Sequence, residues 1–481
     1  MTSRTVGTTE QLVSPEVREL DPRRWYALAL LCAASFLVIL DAQIVTVAAP
    51  SIQRDLGLSG SGLQWILSGY ALTFGGLLLL GGRAADLFGR RRVFMAGVAL
   101  FAVASLLCGL AWTGVVLILA RIVQGASAAL MAPAAMAIII TTFPEGRERN
   151  RALGMSGAVA AAGGSAGALA GGPLTQGLGW HWIFLLNVPI GLAMLALSPV
   201  LLQPSPAAHD GRRVDLAGAL TICGALVLLV DGITQVPGNG WAAARTLVPL
   251  AGSVLLLASF LVVESRSARP LVPLRMFRSR TLVGGNLVIV TAAVGAYGQG
   301  LLTSLYAQEV LGYTPAQFGL MTAVVPVTAV LASVLSQRLV TRHGFGIVAA
   351  VSMTAMAVGC ALLTQLSASG SFAADLLPGL LVLGPGLGAA TVAASIAAVA
   401  GVAERESGLA SGISNTSFQI GGAFGVALLT TIAAARTAQV DGLEDAALTA
   451  GFRVAFAVAA VVSLLGALAA VTLLRRTGQD A

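Results

Sequence analysis

Lysine is missing from this 481-residue sequence, so every one of its 28 basic side chains is an arginine. Charge of either sign is scarce, at 10% of residues, and aromatics supply only 6%. A chain of this length with so little charge cannot clothe a soluble domain. The arginines lie in short stretches between apolar runs, which speaks against a nucleic-acid surface. Three histidines and four cysteines are too few and too scattered for metal or disulfide spacing. Cys32, Cys108, Cys223 and Cys360 all fall inside apolar segments and read as small core residues. With no metal-ligand cluster and no Ser/His pair at one depth, nothing points to an enzyme or to a cofactor.

What is abundant is apolar surface. Hydrophobic residues make up 57% of the chain and the mean hydropathy is +0.87, values of an all-α polytopic membrane protein. The 57 glycines suit helices packed backbone to backbone in lipid. Apolar runs bounded by charge, Gly or Pro predict fourteen spans: 25–49, 62–82, 93–112, 114–140, 152–175, 181–202, 215–235, 246–264, 281–308, 316–337, 347–367, 372–400, 407–433 and 450–474. Residues 1–24 read as a polar mobile tail, unlike a signal peptide because the first apolar run starts late and is too long. The arginines test the count. Twenty-three lie in the two tails and in one alternating set of loops, and only Arg54, Arg245, Arg436 and Arg453 lie in the other set. The positive-inside rule then expects an even number of helices with both termini in the cytoplasm.

One carboxylate stands out. The first span, WYALALLCAASFLVILDAQIVTVAA, is apolar except for Ser35, Asp41, Gln43 and Thr46. A carboxylate at that depth costs about 2.5–3.5 kcal/mol on insertion scales, so Asp41 needs a bundle interior and a partner. Its reading is a proton or cation site, or else a structural carboxylate fixed by a hydrogen bond. Helix 4 supplies a partner in Arg121, which cannot shed its charge, with Gln124 and Gly125 on the same face. Arg121 falls about eight residues into a helix running outside to inside, level with Asp41, and the depth match predicts that the two are neighbours.

Three further frames recur along the first six spans. After helix 2 comes Gly82-x3-Asp86-x2-Gly89-Arg90-Arg91-Arg92, in which Gly89 permits a tight turn and Asp86 can pair with an arginine or with the amides opening helix 3. Positive-inside charge alone explains these arginines but not the glycine–aspartate spacing. Helix 5 carries Gly163, Gly167, Gly171, Gly172 and Pro173, a flat stripe for a close helix contact followed by a bend or stop. Helix 6 opens Trp180-His181-Trp182-Ile-Phe184, with Asn187 and Pro189 beyond; its tryptophans are interface anchors and His181 reads as a boundary residue.

Together these frames resemble the major facilitator superfamily, and within it the fourteen-helix drug:proton antiporter family. The run Leu40-Asp41…Val45 to Pro50 resembles that family's helix-1 signature, and the helix 2–3 loop, Arg121–Gly125, Gly163–Pro173 and Trp180–Pro189 resemble four more of its motifs. The likeness covers residues 25 to 475. Departures are Thr46 for the usual Asn, Ala168 for Pro, His181 for Arg and, in helix 13, Phe418 for Arg. The resemblance implies a six-helix half over 25–202, two inserted helices within 203–280, a second half over 281–474 and a short tail at 475–481. Gln337-Arg338…Thr341-Arg342-His343-Gly344 is a degenerate echo of the 82–92 loop and fits two related halves.

The function expected is proton-coupled export of hydrophobic or amphipathic drugs, cations among them, by a monomer in the bilayer. Asp41 and Arg121 would couple the proton, and Gly82, Asp86, Gly89 and Arg90 would form a conformational switch loop. Gln43, Gln124, Asn286, Tyr297, Gln299, Asn415 and Gln419 are candidates to line the substrate cavity. The alternatives are a dedicated exporter of one metabolite, such as a self-made antibiotic, and a membrane sensor without flux. Asp231, late in helix 7, is expected at the surface.

Overall fold

A computed structural model describes residues 23–204, 216–267, 272–400, 402, 406–440 and 443–474. The expected tails, all but the last residues of the first, and the loop arginines Arg212, Arg213, Arg269 and Arg405 lie outside the described residues. Among the described residues, fourteen helices are long and apolar enough to cross a membrane: α1 (Arg24–Asp55), α2 (Gly60–Phe88), α3 (Arg90–Gly109), α4 (Gly114–Thr142), α5 (Arg147–Gly177), α6 (His181–Leu201), α7 (Ala217–Thr234), α8 (Ala244–Arg266), α9 (Arg280–Val310), α10 (Pro315–His343), α11 (Phe345–Gln365), α12 (Phe372–Val399), α13 (Ser407–Thr437) and α14 (Glu444–Leu473). The chain is an all-helical polytopic membrane protein.

Several helices run past their hydrophobic spans. The expected loop at 82–88 is the last two turns of α2, and Gly89 alone, at φ +93°, turns the chain into α3. Gly344 does the same between α10 and α11, at φ +83°. The short connection before α4 is set by Thr113, whose hydroxyl accepts the amide N–H of Val116 at 3.3 Å. Pro173 does not end α5, which continues to Gly177.

The packing repeats. Among the first six helices α1 lies on α5, α2 on α4, and α3 on both α4 and α6; eight helices later α9 lies on α13, α10 on α12, and α11 on both α12 and α14. The two sets meet through α2 against α13 and through α5 against α10, while α7 covers the first of these seams and α8 packs outside it. Outward faces are apolar: Leu100, Val103, Leu106 and Leu107 on α3 and Val254, Leu255, Leu257 and Leu261 on α8 are exposed. In lipid such faces need no cover, so the polar residues turned inward carry the information.

Candidate functional site

Helices α1, α2, α3, α4 and α6 converge on a closed polar cluster. Asp41 is 0% exposed and Arg121 1%, and Oδ2 of the carboxylate is ion-paired to Nη1 of the guanidinium. The other oxygen, Oδ1, accepts from Gln124 Nε2 at 2.9 Å and from Asn187 Nδ2 at 3.0 Å. The guanidinium has acceptors besides Asp41: Nη1 donates to Gln124 Oε1 at 2.7 Å and Nε to the Ile66 carbonyl at 3.2 Å. Its carbon lies 4.3 Å from the centre of the Tyr70 ring. Ser105 takes a further bond from Gln124 at 2.8 Å, and the Cys108 thiol reaches Gln124 Oε1 at 3.7 Å. Burying one charge would be prohibitive, but this pair is neutral overall and every oxygen of the carboxylate is satisfied. Sequence reasoning found the pair, named Asn187 only as part of the helix-6 frame, and missed Tyr70 and Ser105. Their side chains are ordinary in apolar helices, and only helix rotation shows that they point inward.

The glycine stripe of α5 is what holds α1 beside this cluster. A Cβ at Gly163 would fall 2.6 Å from the Phe36 carbonyl oxygen, one at Gly167 2.8 Å from that of Leu40, and one at Gly171 2.9 Å from Ile44 Cγ1. The backbones of α1 and α5 therefore touch at the residues flanking Asp41. Gly172 faces the other way, onto α10, where a Cβ would lie 2.3 Å from the Pro315 carbonyl oxygen.

The seam between α5 and α10 is a wedge. It is shut at Gly172 and Pro315, and at Gly319, whose Cβ would lie 2.3 Å from the Ala168 carbonyl. At Gly164 the gap to Pro326 has widened to 3.9 Å, and at Gly154 and Gly157 a Cβ would meet nothing within 4 Å. The wedge thus opens toward the side bearing Arg147, Arg338 and Arg342. The shut end is also hydrogen-bonded: Ser304 Oγ donates to the Thr46 carbonyl at 2.9 Å and Gln308 Nε2 to that of Val47 at 3.0 Å. Thr46 needs that donor because Pro50, four residues on, has no N–H to offer it.

The cavity candidates divide. Gln43 and Asn415 are exposed and Tyr297 is half-buried, with its hydroxyl 3.1 Å from Gln419 Oε1 and its ring edge-on to Phe418 at 5.7 Å. Gln124 is in the sealed cluster instead of the cleft, since its face of α4 is the one turned to Arg121 and Asp41. Asn286 is buried and bonded to Leu282 and Ser417, and Gln299 is buried against Thr303. On the arginine-bearing side a recess of about 280 Å³ lies between α9, α12 and α13, lined by Thr391, Ser395, Ser411, Ser414, Asn415 and Phe418 among others. It adjoins a larger one of about 520 Å³ that shares Thr391 and Ser395 and reaches Gln337. Of the residues lining the smaller recess, sequence reasoning named Asn415 as a cavity candidate and Phe418 as a departure from the family pattern, and it singled out none of the others.

Of the switch-loop residues, Asp86 and Arg90 form an exposed ion pair at 3.4 Å, and Gly82 has no close neighbour beyond Pro133 at 3.7 Å. The tight contact belongs to Gly81 next door, where a Cβ would sit 1.9 Å from the Ala129 carbonyl oxygen. His181 stacks on Trp180, whose indole donates to Asp55 at 2.7 Å and ties the far end of α1 to α6. Asp231 is half-buried, not fully at the surface.

Comparison with known proteins adds what geometry cannot. A family model described as the Major Facilitator Superfamily matches residues 31–314 and 285–481. The puromycin resistance protein pur8 of Streptomyces alboniger is 41% identical over 464 residues, 94% of this chain and 91% of that one. The cephamycin export protein CmcT of Amycolatopsis lactamdurans is 41% identical over 419 residues, 85% of each. The tetracenomycin C resistance and export protein of Streptomyces glaucescens is 34% identical, covering 87% of this chain and 77% of its own. Among solved structures, an auto-inhibited POT family peptide transporter superposes with a TM-score of 0.70 at 15% identity, over 95% of this chain and 97% of that one, a likeness of fold alone.

Proposed function

The chain belongs to the major facilitator superfamily, and from that premise we propose that it is a proton-coupled antiporter exporting hydrophobic or amphipathic small molecules from a bacterial cytoplasm. The observation that carries this is the sealed Asp41–Arg121 pair. A proton carrier must survive in two charge states. When Asp41 takes a proton, Arg121 keeps Gln124 Oε1, the Ile66 carbonyl and the Tyr70 ring, so its charge is not stranded. The cluster is closed to solvent with the wedge open on the arginine-bearing side. Proton exchange therefore belongs to the opposite state, reached by rocking of 25–202 against 281–474 about the α2–α13 and α5–α10 seams. Both termini and the arginine-rich loops face the cytoplasm in this reading, and the monomer is the working unit. The driving force suffices: about 2.3 kcal/mol per charge at 100 mV with about 1.4 per pH unit sustains a gradient of roughly 500-fold per proton.

The range of substrates has a second reading. Relatives named for puromycin, cephamycin and tetracenomycin support a dedicated exporter of one antibiotic, and a relative named multidrug resistance protein Stp supports a broad pump equally. Uptake of a dye and antibiotic panel into proteoliposomes under an imposed pH gradient separates these, and no flux of any compound would indicate a sensor. The coupling is tested by substrate-induced proton release from purified protein. Asp41→Asn keeps the shape and one acceptor oxygen but fixes the neutral form, so release and uphill export are expected to vanish while binding remains. Continued proton release and pumping in Asp41→Asn would make the carboxylate structural.

A further inference from the structure

We infer that the recess between α9, α12 and α13 is a substrate subsite for uncharged molecules rich in hydroxyl or carbonyl groups, and that it discriminates against lipophilic cations; this rests on the export reading above. Thr391 and Ser395 are four apart on α12, and Ser411 and Asn415 are four apart on α13. Each pair shares one helix face, and the two faces converge on one recess. The side chains of Ser395, Ser411 and Asn415 are exposed to it and make no hydrogen bond to any described part of the protein. Facing the open recess, these three groups are left to water, so a ligand with hydroxyl or carbonyl groups can take the place of that water on all three. Phe418 beside them gives a ring a wall to lie on.

No described carboxylate lines this recess or its neighbour. Asp41 is fully buried and already neutralised by Arg121. Charge of the other sign is missing too, since Phe418 and Ile289 occupy the wall. An organic cation entering would lose its hydration with only hydroxyl dipoles and one ring to replace it. A neutral hydroxyl or carbonyl exchanges its bonds to water for bonds to Ser395, Ser411 and Asn415, and Asn415 offers a donor and an acceptor together. A site built to hydrogen-bond rejects molecules that leave its polar groups unpaired, which makes these three residues determinants of specificity.

The test uses two probes, chloramphenicol (neutral, with two hydroxyls and an amide) and ethidium (a permanent cation), in equilibrium dialysis against the purified full chain. Chloramphenicol is expected to bind about tenfold more tightly than ethidium, and the double variant Ser395→Ala/Asn415→Leu to weaken it about tenfold while leaving ethidium unchanged. Asn415→Asp, at an exposed position that does not carry the fold, is expected to reverse the preference by bringing ethidium in. Ethidium binding the unaltered protein as tightly as chloramphenicol, binding of neither probe, or indifference of both to Asn415→Asp would each overturn the subsite. Uptake under a pH gradient is measured alongside: the expected binding pattern without uptake removes the export reading and leaves the subsite, whereas uptake with the opposite preference removes only the subsite.

Discussion

The first six helices and the last six are packed by one rule and filled by two chemistries. On α5, Gly163 and Gly167 rest on the carbonyls of Phe36 and Leu40; on α13, Gly421 and Gly425 rest on those of Val290 and Val294. On α4, Gly125 lies against Thr73 and Tyr70; on α12, Gly384 lies against Thr328 and Val325. These contacts fix a register between the two sets. It pairs Asp41 with Gly295, Gln43 with Tyr297, Arg121 with Leu380 and Gln124 with Leu383. The backbone scaffold is thus shared, but the ion pair and Gln124 of one set are matched by a glycine and two leucines in the other. Leu380 and Leu383 are fully buried, so that position needs filling in both sets and needs charge in only one. A repeated fold has kept its glycines, which set how closely helices approach, while its polar centre has been confined to one side. Charge is then available for coupling where it is sealed, and neutral hydrogen-bonding groups are left where the cleft is open.

The largest way to break this comparison is to strand a charge. Arg121→Leu copies onto α4 the residue found at the matching place on α12. It leaves Asp41 buried with only Gln124 and Asn187, and removing one partner of a buried pair costs about 3–5 kcal/mol. Thermal unfolding in detergent is expected to show a large fall in Tm. The double variant Asp41→Gly/Arg121→Leu, which reproduces the charge-free centre of the second set, is expected to recover most of that loss and to remain inactive in transport. If the double variant is no more stable than Arg121→Leu, the two centres are not interchangeable in packing and the register is wrong.

Such a pair is visible in sequence for a physical reason. Charged residues inside apolar spans are rare enough to be noticed singly, and counting from helix ends gives their depth, which is how Asp41 and Arg121 could be matched. The fourteen spans are legible likewise, since composition and arginine spacing measure the bilayer directly. Rotation about a helix axis is not legible in the same way. Gln124 is polar and at membrane depth, which is equally compatible with the cleft and with the sealed cluster, and only packing against α3 assigns it to the cluster. Gly81 and Gly82 differ by about 100° around α2, and the contact with Ala129 falls on the first of them. Ser395 and Ser411 gave no signal because isolated serines in membrane helices usually bond back to their own helix, as Ser414 does to Ala410 at 3.1 Å.

A smaller effect sharpens the claim that packing is shared. A Cβ at Gly81 would lie 1.9 Å from the Ala129 carbonyl oxygen, and one at Gly388 2.0 Å from that of Ala329. The first joins α2 to α4 and the second α12 to α10, the matching helix pairs; in the register above Gly388 stands at the place of Ala129 and Ala329 at that of Phe74, so the two contacts lie two turns apart along α2 and α10. Both obstacles are backbone and cannot turn aside. Gly81→Ala and Gly388→Ala are each expected to cost about 1–3 kcal/mol by overpacking, read as similar falls in Tm. A fall in only one of them would show that the helix pairs are not equivalent.

The smallest effect concerns the line where the two sets touch. Pro50 interrupts the hydrogen-bond ladder of α1 and leaves the Thr46 carbonyl without a donor from its own helix. Ser304, from α9, supplies one at 2.9 Å. That bond exists only while the end of the cleft away from the arginine-rich loops is shut; when it opens, water must take the place of the serine. The bond therefore favours the shut end, and Ser304→Ala should release it without touching Asp41 or the recess. Hydrogen bonds between membrane helices average about 0.6 kcal/mol, so the population open at that end should rise roughly threefold. Spin labels at Leu178 and Leu320, both exposed near that end, would report it as growth of the longer-distance peak, in a background where the four cysteines are replaced. Substituting Pro50→Ala restores the missing N–H and gives Thr46 a partner of its own, so Ser304→Ala should then have little further effect. If Ser304→Ala opens that end equally well with Pro50 and with Ala at that place, the serine acts through something other than the orphaned carbonyl.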